Sequence, residues 1–234
     1  MSTIAIITAR GGSKRIPRKN IKEFLGKPML QYSIEAAINA NCFDEIMVST
    51  DDKEIADIAI SSGAKIPFMR STKNSNDFAS TEDVLREVLC KYKEQDSIFD
   101  YCCCIYPTAP FILSEKLMEG YKLLINSDVD SVIPVTRFSY PIQRALKIEN
   151  GKLEVLYPEN ADKRSQDLIP TYHDCGQFYW FNVERFLQED KLFTGNSLAI
   201  EIPESQVQDI DNEEDWKIAE IKYKILYSDR ILGK

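Results

Sequence analysis

Short apolar runs that alternate with helix-length amphipathic segments constrain this chain more than any other feature of its sequence. Residues 3–9 are apolar enough for a buried strand, and residues 28–40 follow with helical periodicity through Met29, Tyr32, Ile34, Ala36, Ala37 and Ile38. A strand at 45–50, a helix at 52–62 with Asp51 or Asp52 as N-cap, and a short strand at 65–68 continue the pattern. A helix at 81–92, a strand at 99–106, a helix at 114–125 and a strand at 131–136 complete it. Parallel strands need crossovers of helix length, and such crossovers are right-handed. The pattern therefore predicts an α/β fold on a mainly parallel sheet, with residues 1–234 forming one domain around a well-buried core.

Near Arg137 the alternation breaks down. Residues 145–157 carry two strand-like runs joined at Asn150-Gly151, a dipeptide suited to a tight hairpin turn. A polar, irregular stretch follows over residues 158–170. Residues 137–172 are thus an excursion from the main sheet, expected to serve as an inserted dimerisation arm. Strand character returns at 177–181, and residues 211–226 form a closing helix with an acidic first turn.

Six cysteines would suit a disulfide framework or a metal site, but Cys102, Cys103 and Cys104 are consecutive inside an apolar run. Neighbouring strand residues point to opposite faces, so the triplet is expected as small core side chains in a reducing compartment. The CxxC spacing of zinc sites is missing and His173 is the single histidine, which argues against such a site. No stretch approaches the roughly 18–20 apolar residues of a membrane-spanning helix. The N-terminus lacks the basic region of a signal peptide, so a cytoplasmic location is expected.

The formal net charge of −8 argues against general nucleic-acid binding, yet the cations are unevenly placed. Arg10, Lys14, Arg15, Arg18, Lys19, Lys22 and Lys27 stand close together against a single acid, Glu23. An acidic chain that concentrates cations in one segment is expected to use them on a local polyanion. That segment leaves the carboxyl end of the first strand, where open α/β sheets bind ligands. Gly11 and Gly12 let backbone N–H groups approach an anion, Ser13 adds a hydroxyl, and Arg10, Lys14 and Lys19 supply fixed charge for a triphosphate. Neither GxxxxGK[ST] nor GxGxxG is present, so the usual P-loop and dinucleotide readings fail. A solvated basic loop, or a non-catalytic module binding RNA or another polyanion, is the alternative; the acidic balance and the lack of interleaved aromatics weigh against it.

The stretch 7–20, followed by Gly26-Lys27-Pro28-Met29, closely resembles the opening of acylneuraminate cytidylyltransferases, the CMP-sialic acid synthetase family. Further matches follow in order: Val48-Ser49-Thr50-Asp51, Arg70, residues 79–81, Tyr106-Pro107-Thr108-Ala109-Pro110 and Asp209-Ile210-Asp211. The resemblance covers essentially the whole chain. Within the family, Phe68-Met69-Arg70 and residues 140–146 and 172–180 look most like the pseudaminic acid subfamily. The resemblance implies a three-layer, Rossmann-like fold of the nucleotide-diphospho-sugar transferase type, CTP and Mg²⁺ as co-substrate and cofactor, and a homodimer.

Carried over residue by residue, the resemblance places Thr8, Ala9 and Arg10 at the nucleotide, and Arg70, Ala79 and Thr81 around its base and ribose. Ser13, Lys14, Lys19 and Asn20 match the phosphate-binding loop. Asp209 and Asp211 match the metal ligands; residues two apart on an extended segment project to the same side, which suits a hard cation. Taken by itself, Asp211 reads more readily as part of a helix N-cap, and the resemblance reverses that. On the acceptor side stand Tyr106, Thr108, Gln143, Arg144, His173, Asp174 and Gln177. Tyr106 replaces the family's glutamine, and Cys175-Gly176 replaces an Asn-Gly pair common in sialic-acid enzymes. Both departures point to a nonulosonic acid other than neuraminic acid, although legionaminic and N-acetylneuraminic acids remain alternatives. Arg144 on an arm strand is equally a surface ion-pair partner. His173 is expected to contact sugar or serve structure, since nothing in sequence pairs it with a nucleophile. The implied reaction is attack of the sugar's anomeric hydroxyl on the α-phosphorus of CTP, with Arg10, Lys14, Lys19 and Asp211 carrying the chemistry through charge and position.

Overall fold

Strand β1 (Thr3–Thr8) is buried on both faces, as a central parallel strand must be, and the later elements are arranged around it. The computed structural model describes residues 1–228. After β1 come the two-residue strands β2 (Glu23–Phe24) and β3 (Lys27–Pro28), then α1 (Met29–Ala40), β4 (Glu45–Ser49) and α2 (Lys53–Ser61). Next are α3 (Thr81–Glu94), β5 (Tyr101–Ile105), α4 (Ser114–Ile125) and β6 (Ser131–Arg137). The excursion holds the hairpin β7 (Leu146–Glu149) and β8 (Lys152–Val155) and returns through β9 (Tyr172–Asp174). β10 (Phe178–Asn182), α5 (Val183–Glu189), β11 (Ser197–Glu201) and α6 (Glu213–Leu226) follow within the described residues.

The helix starts follow the local chemistry. Asp52 caps α2 by accepting the Ile55 N–H at 3.0 Å. Ser80 and Asp83 form a reciprocal capping box at α3. At α6 the cap is Asn212, again with a capping box, through Asp215. The helix expected from residue 211 therefore begins two residues later, and the Asp211 side chain takes no part in its cap.

The main sheet has the order β11-β6-β10-β5-β1-β4. β1 lies parallel to β4 and β5, and β11 parallel to β6, while β10 runs antiparallel between β5 and β6. Because β10 opposes both neighbours, β5 and β6 point the same way, and the carboxyl ends of the parallel strands share one edge with the amino end of β10. β9 continues β10 along β6, but with a shifted register: Val132 faces Trp180, whereas Val135 faces Asp174. Residues 175–177 take up the surplus as a bulge, with Gly176 at φ 61° in the left-handed region.

Helices cover both faces, giving three layers. Cys103, Trp180, Ala5 and Ile7 face α1 and α4, whereas Cys102, Cys104, Ile4, Ile6 and Phe181 face α3 and α5. The cysteine triplet is thus core, split between the two faces by strand alternation, and all six thiols are free. Gly120 of α4 is required by close approach, since a Cβ there would lie 2.6 Å from the Trp180 ring. A third apolar cluster of Ile16, Phe24, Met29, Tyr32, Phe111, Ile210 and Trp216 fastens α6 against the segment after β1.

Residues 65–68 do not form the expected strand. Lys65 makes one parallel bridge with Met47, and Pro67, lacking an N–H, is placed where the pairing would need its next donor. The excursion's end residues, Arg137 and Tyr172, stand opposite each other as a cross-strand pair. Its hairpin turns at Asn150 (φ 53°) and Gly151 (φ 77°) as the dipeptide predicts. Every residue of β7 and β8 is exposed. Leu146, Ile148, Leu153 and Val155 share one face of the hairpin, while Lys147 bridges Glu149 and Glu154 on the other.

Candidate active site

The segment after β1 is held in a defined shape before any ligand is considered. Asn20, buried, donates its side-chain amide to the Arg10 carbonyl at 2.8 Å, tying the loop's end to its beginning. The Gly11 N–H donates to Asp51 at 2.9 Å, and a Cβ on Gly11 would lie 2.8 Å from an Asp52 carboxylate oxygen. Only glycine lets the loop lie this close to the start of α2. Arg18 turns the chain at φ 56° and pairs with Asp52 and Glu54, while Ile16 is buried beneath.

The loop walls a cavity of about 350 Å³ with Thr8, Arg10, Ser13, Lys14, Lys19, Asn20, Thr108 and Asp211 among its lining residues. Arg10 donates to Asp77 at 2.8 Å and Lys14 pairs with the other oxygen of the same carboxylate. Lys19 donates to the Ile210 carbonyl at 2.7 Å and lies 4.0 Å from Asp211. Burial lowers the Lys19 pKa, opposed by the nearby Asp211 and Asp209 carboxylates. Asp211 also accepts from Arg15 at 2.7 Å. The Asp209 carboxyl is pushed up, first by desolvation and then by the negative charge of Asp211. Two neighbouring carboxylates, both made of hard oxygen donors, match the needs of a small divalent cation that binds through one or two carboxylates and substrate phosphates.

On the neighbouring side, Arg70 is buried and donates to the Ser49 hydroxyl at 3.0 Å and to the Ser49 carbonyl. Its burial brings the guanidinium pKa down to about 10. Ala79 belongs to a turn in which Asn76 Oδ1 accepts the Phe78 and Ala79 N–H groups at 2.8 and 3.1 Å. Thr81 opens α3, with its hydroxyl 3.2 Å from that of Tyr106.

Tyr106 follows β5 and stacks edge-on to Tyr179, centroids 5.3 Å apart. Burial raises the pKa of both phenols and keeps them neutral. Tyr179 donates to Asp174 at 2.6 Å, and the Gly176 N–H donates to the other Asp174 oxygen at 3.0 Å. Gln177, buried in the bulge, donates to the Gln206 carbonyl at 2.7 Å. His173 stacks on Phe138 on the exposed side of β9, with Nδ1 2.9 Å from the Asp174 carbonyl.

Gln143 and Arg144 stand apart from this assembly. Gln143 donates to the Ile169 carbonyl at 2.8 Å and Arg144 to Ser165 at 3.2 Å, so both hold the arm to itself. Sequence reading missed Asp77, Arg15 and Tyr179. Asp77 and Arg15 find their partners 63 to 196 residues away, a separation no local spacing reveals. The one local signal for the first of these is Asn76-Asp77, a dipeptide suited to a turn.

A family model described as Cytidylyltransferase matches residues 4–218. A pseudaminic acid cytidylyltransferase of Campylobacter jejuni subsp. jejuni serotype O:2 is 42% identical over 226 residues, covering 96% of this chain and 97% of the relative. A CMP-N,N'-diacetyllegionaminic acid synthase of Legionella pneumophila is 30% identical over 230 residues, covering 94% and 95% of the two chains. Among solved structures, a CMP:2-keto-3-deoxy-manno-octonic acid synthetase complexed with CTP superposes with a TM-score of 0.70. It covers 97% of this chain and 100% of that one at 18% identity, a likeness of fold. With a family model spanning nearly its whole length and relatives similar from end to end, the chain belongs to the cytidylyltransferase family and is a nucleotidyltransferase.

Proposed function

We propose that this protein transfers CMP from CTP to the anomeric hydroxyl of pseudaminic acid, giving CMP-pseudaminic acid and pyrophosphate. The observation that carries the reading is the convergence of Arg10, Lys14, Lys19 and Asp211 on one cavity at the carboxyl edge of the sheet. The end-to-end identity with the Campylobacter relative supports the choice of sugar.

In this reading Arg10, Lys14 and Lys19 bind the triphosphate, with Ser13 and Asn20 shaping the loop around it. Thr8 and Ala9 flank the nucleoside, and Arg70 braces the end of β4 beneath the segment that carries Ala79 and Thr81. Asp209 and Asp211 would hold Mg²⁺, which supplies positive charge to phosphate oxygens when bound. Arg15 and Lys19 share the Asp211 carboxylate, so they orient it toward the cavity. The acceptor lies on the far side, toward Tyr106, Thr108, Asp174 and Gln177. Tyr106, kept neutral by burial, serves there as a hydrogen-bond donor rather than a base. Attack forms the bond from the anomeric oxygen to the α-phosphorus and breaks the bond to the bridging oxygen. The cations stabilise charge gathering on the departing pyrophosphate.

The arm supports a homodimer in which the apolar face of the hairpin is covered, since four adjacent apolar side chains otherwise meet water. The free thiols fit a reducing cytoplasm. No described helix is long and apolar enough to cross a membrane.

The test is pyrophosphate release from CTP with Mg²⁺, offering pseudaminic, legionaminic and N-acetylneuraminic acids in parallel. Highest kcat/KM with pseudaminic acid is expected. Preference for one of the other two moves only the acceptor assignment. A folded protein that neither binds CTP nor turns over any of the three overturns the reading. Salt-sensitive RNA binding in that protein would revive the polyanion-binding alternative.

A further inference from the structure

The segment between β4 and α3 is anchored at both ends and moored at its tip by one side chain. At the first end, Ser71 donates its N–H to Glu87 at 2.8 Å and Asn74 donates to the same carboxylate at 2.6 Å. At the other, the Ser80–Asp83 capping box fixes the start of α3. Between them the hydrogen bonds are internal: Ser75 to the Ser71 carbonyl at 2.7 Å, Asn76 to the Lys73 carbonyl at 2.7 Å, and Asn76 Oδ1 to Phe78 and Ala79. Phe78 at the tip is 95% exposed and gives the segment no apolar anchor. Asp77 alone of this tip pairs with another part of the protein among the described contacts. One of its carboxylate oxygens accepts from Arg10 and the other from Lys14.

A carboxylate and a phosphate compete for the same N–H donors, and they cannot both occupy the inner side of Arg10 and Lys14. We propose that Asp77 is an intramolecular stand-in for substrate phosphate: its carboxylate holds Arg10 and Lys14 in the nucleotide-free protein, and an incoming polyphosphate displaces it and unmoors residues 75–79. This rests on the reading that Arg10 and Lys14 bind the phosphates of a nucleoside triphosphate. The two cations lower the Asp77 pKa, so the latch stays ionised, and competent, at neutral pH. Its effect is a threshold. A ligand carrying a single weak anion gains less from the two cations than it loses by breaking their existing pairs. A triphosphate, bringing several charges at once, exceeds that cost. The latch therefore favours polyphosphates over monoanions.

The alternative role for Asp77 is to brace Arg10 and Lys14 in the geometry that phosphate needs. The two roles predict opposite signs. Titration calorimetry on the full chain, wild type against Asp77→Asn, would use CTP, inorganic triphosphate and cytidine as ligands. The latch predicts that Asp77→Asn binds CTP and inorganic triphosphate about three- to tenfold more tightly, the range expected for removing two exposed ion pairs from the free state. It predicts less than a twofold change for cytidine, which has no phosphate. Asp77→Ala should behave as Asp77→Asn does, and circular dichroism should show both folded, since neither the segment's internal hydrogen bonds nor its two anchors use this side chain.

Unchanged or weaker CTP and triphosphate binding in the variants overturns the latch in favour of bracing. Equal tightening for cytidine also overturns it, because the effect would not act through phosphate. Absence of triphosphate binding in wild type and variants alike removes it as well. An active cytidylyltransferase whose variants fail to bind CTP more tightly sinks the latch and leaves the proposed function intact. A wild type inactive with every nonulosonic acid, whose variants still gain inorganic triphosphate affinity, sinks the function and leaves the latch.

Discussion

Withdrawing an ammonium group from water lowers its pKa and facing anions oppose that, and Lys19 is so placed beside Asp211 and Asp209. Its folded pKa is lowered from the ordinary 10.5, so in the free enzyme it discharges at a lower pH than a surface lysine. We expect kcat/KM for CTP to fall as pH rises through that lowered value. In Lys19→Arg the alkaline limb should move to higher pH, because guanidinium stays protonated. A pH–rate profile of both proteins checks this, and coincident limbs would exclude Lys19 as the group responsible. Asp211→Ala should reduce turnover by at least about 10²-fold, the scale at which removal of one electrostatic stabiliser is felt, with an unchanged circular dichroism spectrum. The fold should survive because Asn212 and Asp215, not Asp211, cap α6. Near-normal turnover with an unaltered Mg²⁺ requirement would exclude it as a metal ligand. At this scale the cations of the loop were legible in the sequence as a Gly-rich basic run after the first strand, and Arg10, Lys14, Arg15 and Lys19 do line one cavity. Their counter-anions were not. Asp77 meets Lys14 across 63 residues, and Arg15 meets Asp211 across 196.

Elements with strong periodicity were legible, and their bounds moved by a residue or two. Ser114–Ile125 forms where its pattern predicts, and the Asn150-Gly151 hairpin closes as its turn chemistry requires. What failed was short or interrupted: β9, α5 and β11 carry too few residues to show a period, and Pro67 ended a strand after one bridge. The hairpin's apolar face makes a prediction proper to an element. Ile148 faces Leu153 across the strands, and both are exposed. If the proposed homodimer forms through this face, replacing both by Asp should give a monomer in light scattering after size exclusion where the unaltered protein gives a dimer, with the main-domain fold retained. Persistence of the dimer would move the interface elsewhere. In α4, Gly120→Ala forces a methyl against the Trp180 ring, itself fixed by its N–H bond to the Leu117 carbonyl at 2.9 Å. Overpacking of this kind costs about 1–3 kcal/mol, so the denaturant midpoint should drop with an unchanged slope. No change in midpoint would mean that the helix shifts freely.

On the scale of the whole molecule, a formal charge of −8 surrounds a cationic cavity. The field of the whole repels the nucleotide while the loop attracts it, and salt screens the distant charges more than the close ones. CTP affinity, set by the close contacts, should therefore weaken only modestly between low and physiological salt. A steep loss, of the kind a diffuse basic surface shows, would place the phosphates outside the cavity. The alternation of strands and helices made the parallel sheet legible. The position of β10 was not, because strand order is decided by packing between segments far apart in sequence. That position governs how the molecule comes into being. β5 and β6 are not paired with each other; β10, made some forty residues after β6 has ended, lies between them. Until it arrives, a nascent chain holds the fragment β4-β1-β5 with β5 as a naked edge, and β6 without β10 or the later β11; both unpaired strands carry buried apolar residues such as Cys103 and Val132. Synthesis thus passes through an interval in which the growing polypeptide is sticky and the catalytic edge does not yet exist. Any arrest of translation before β10 leaves a product that has no means of closing its own sheet.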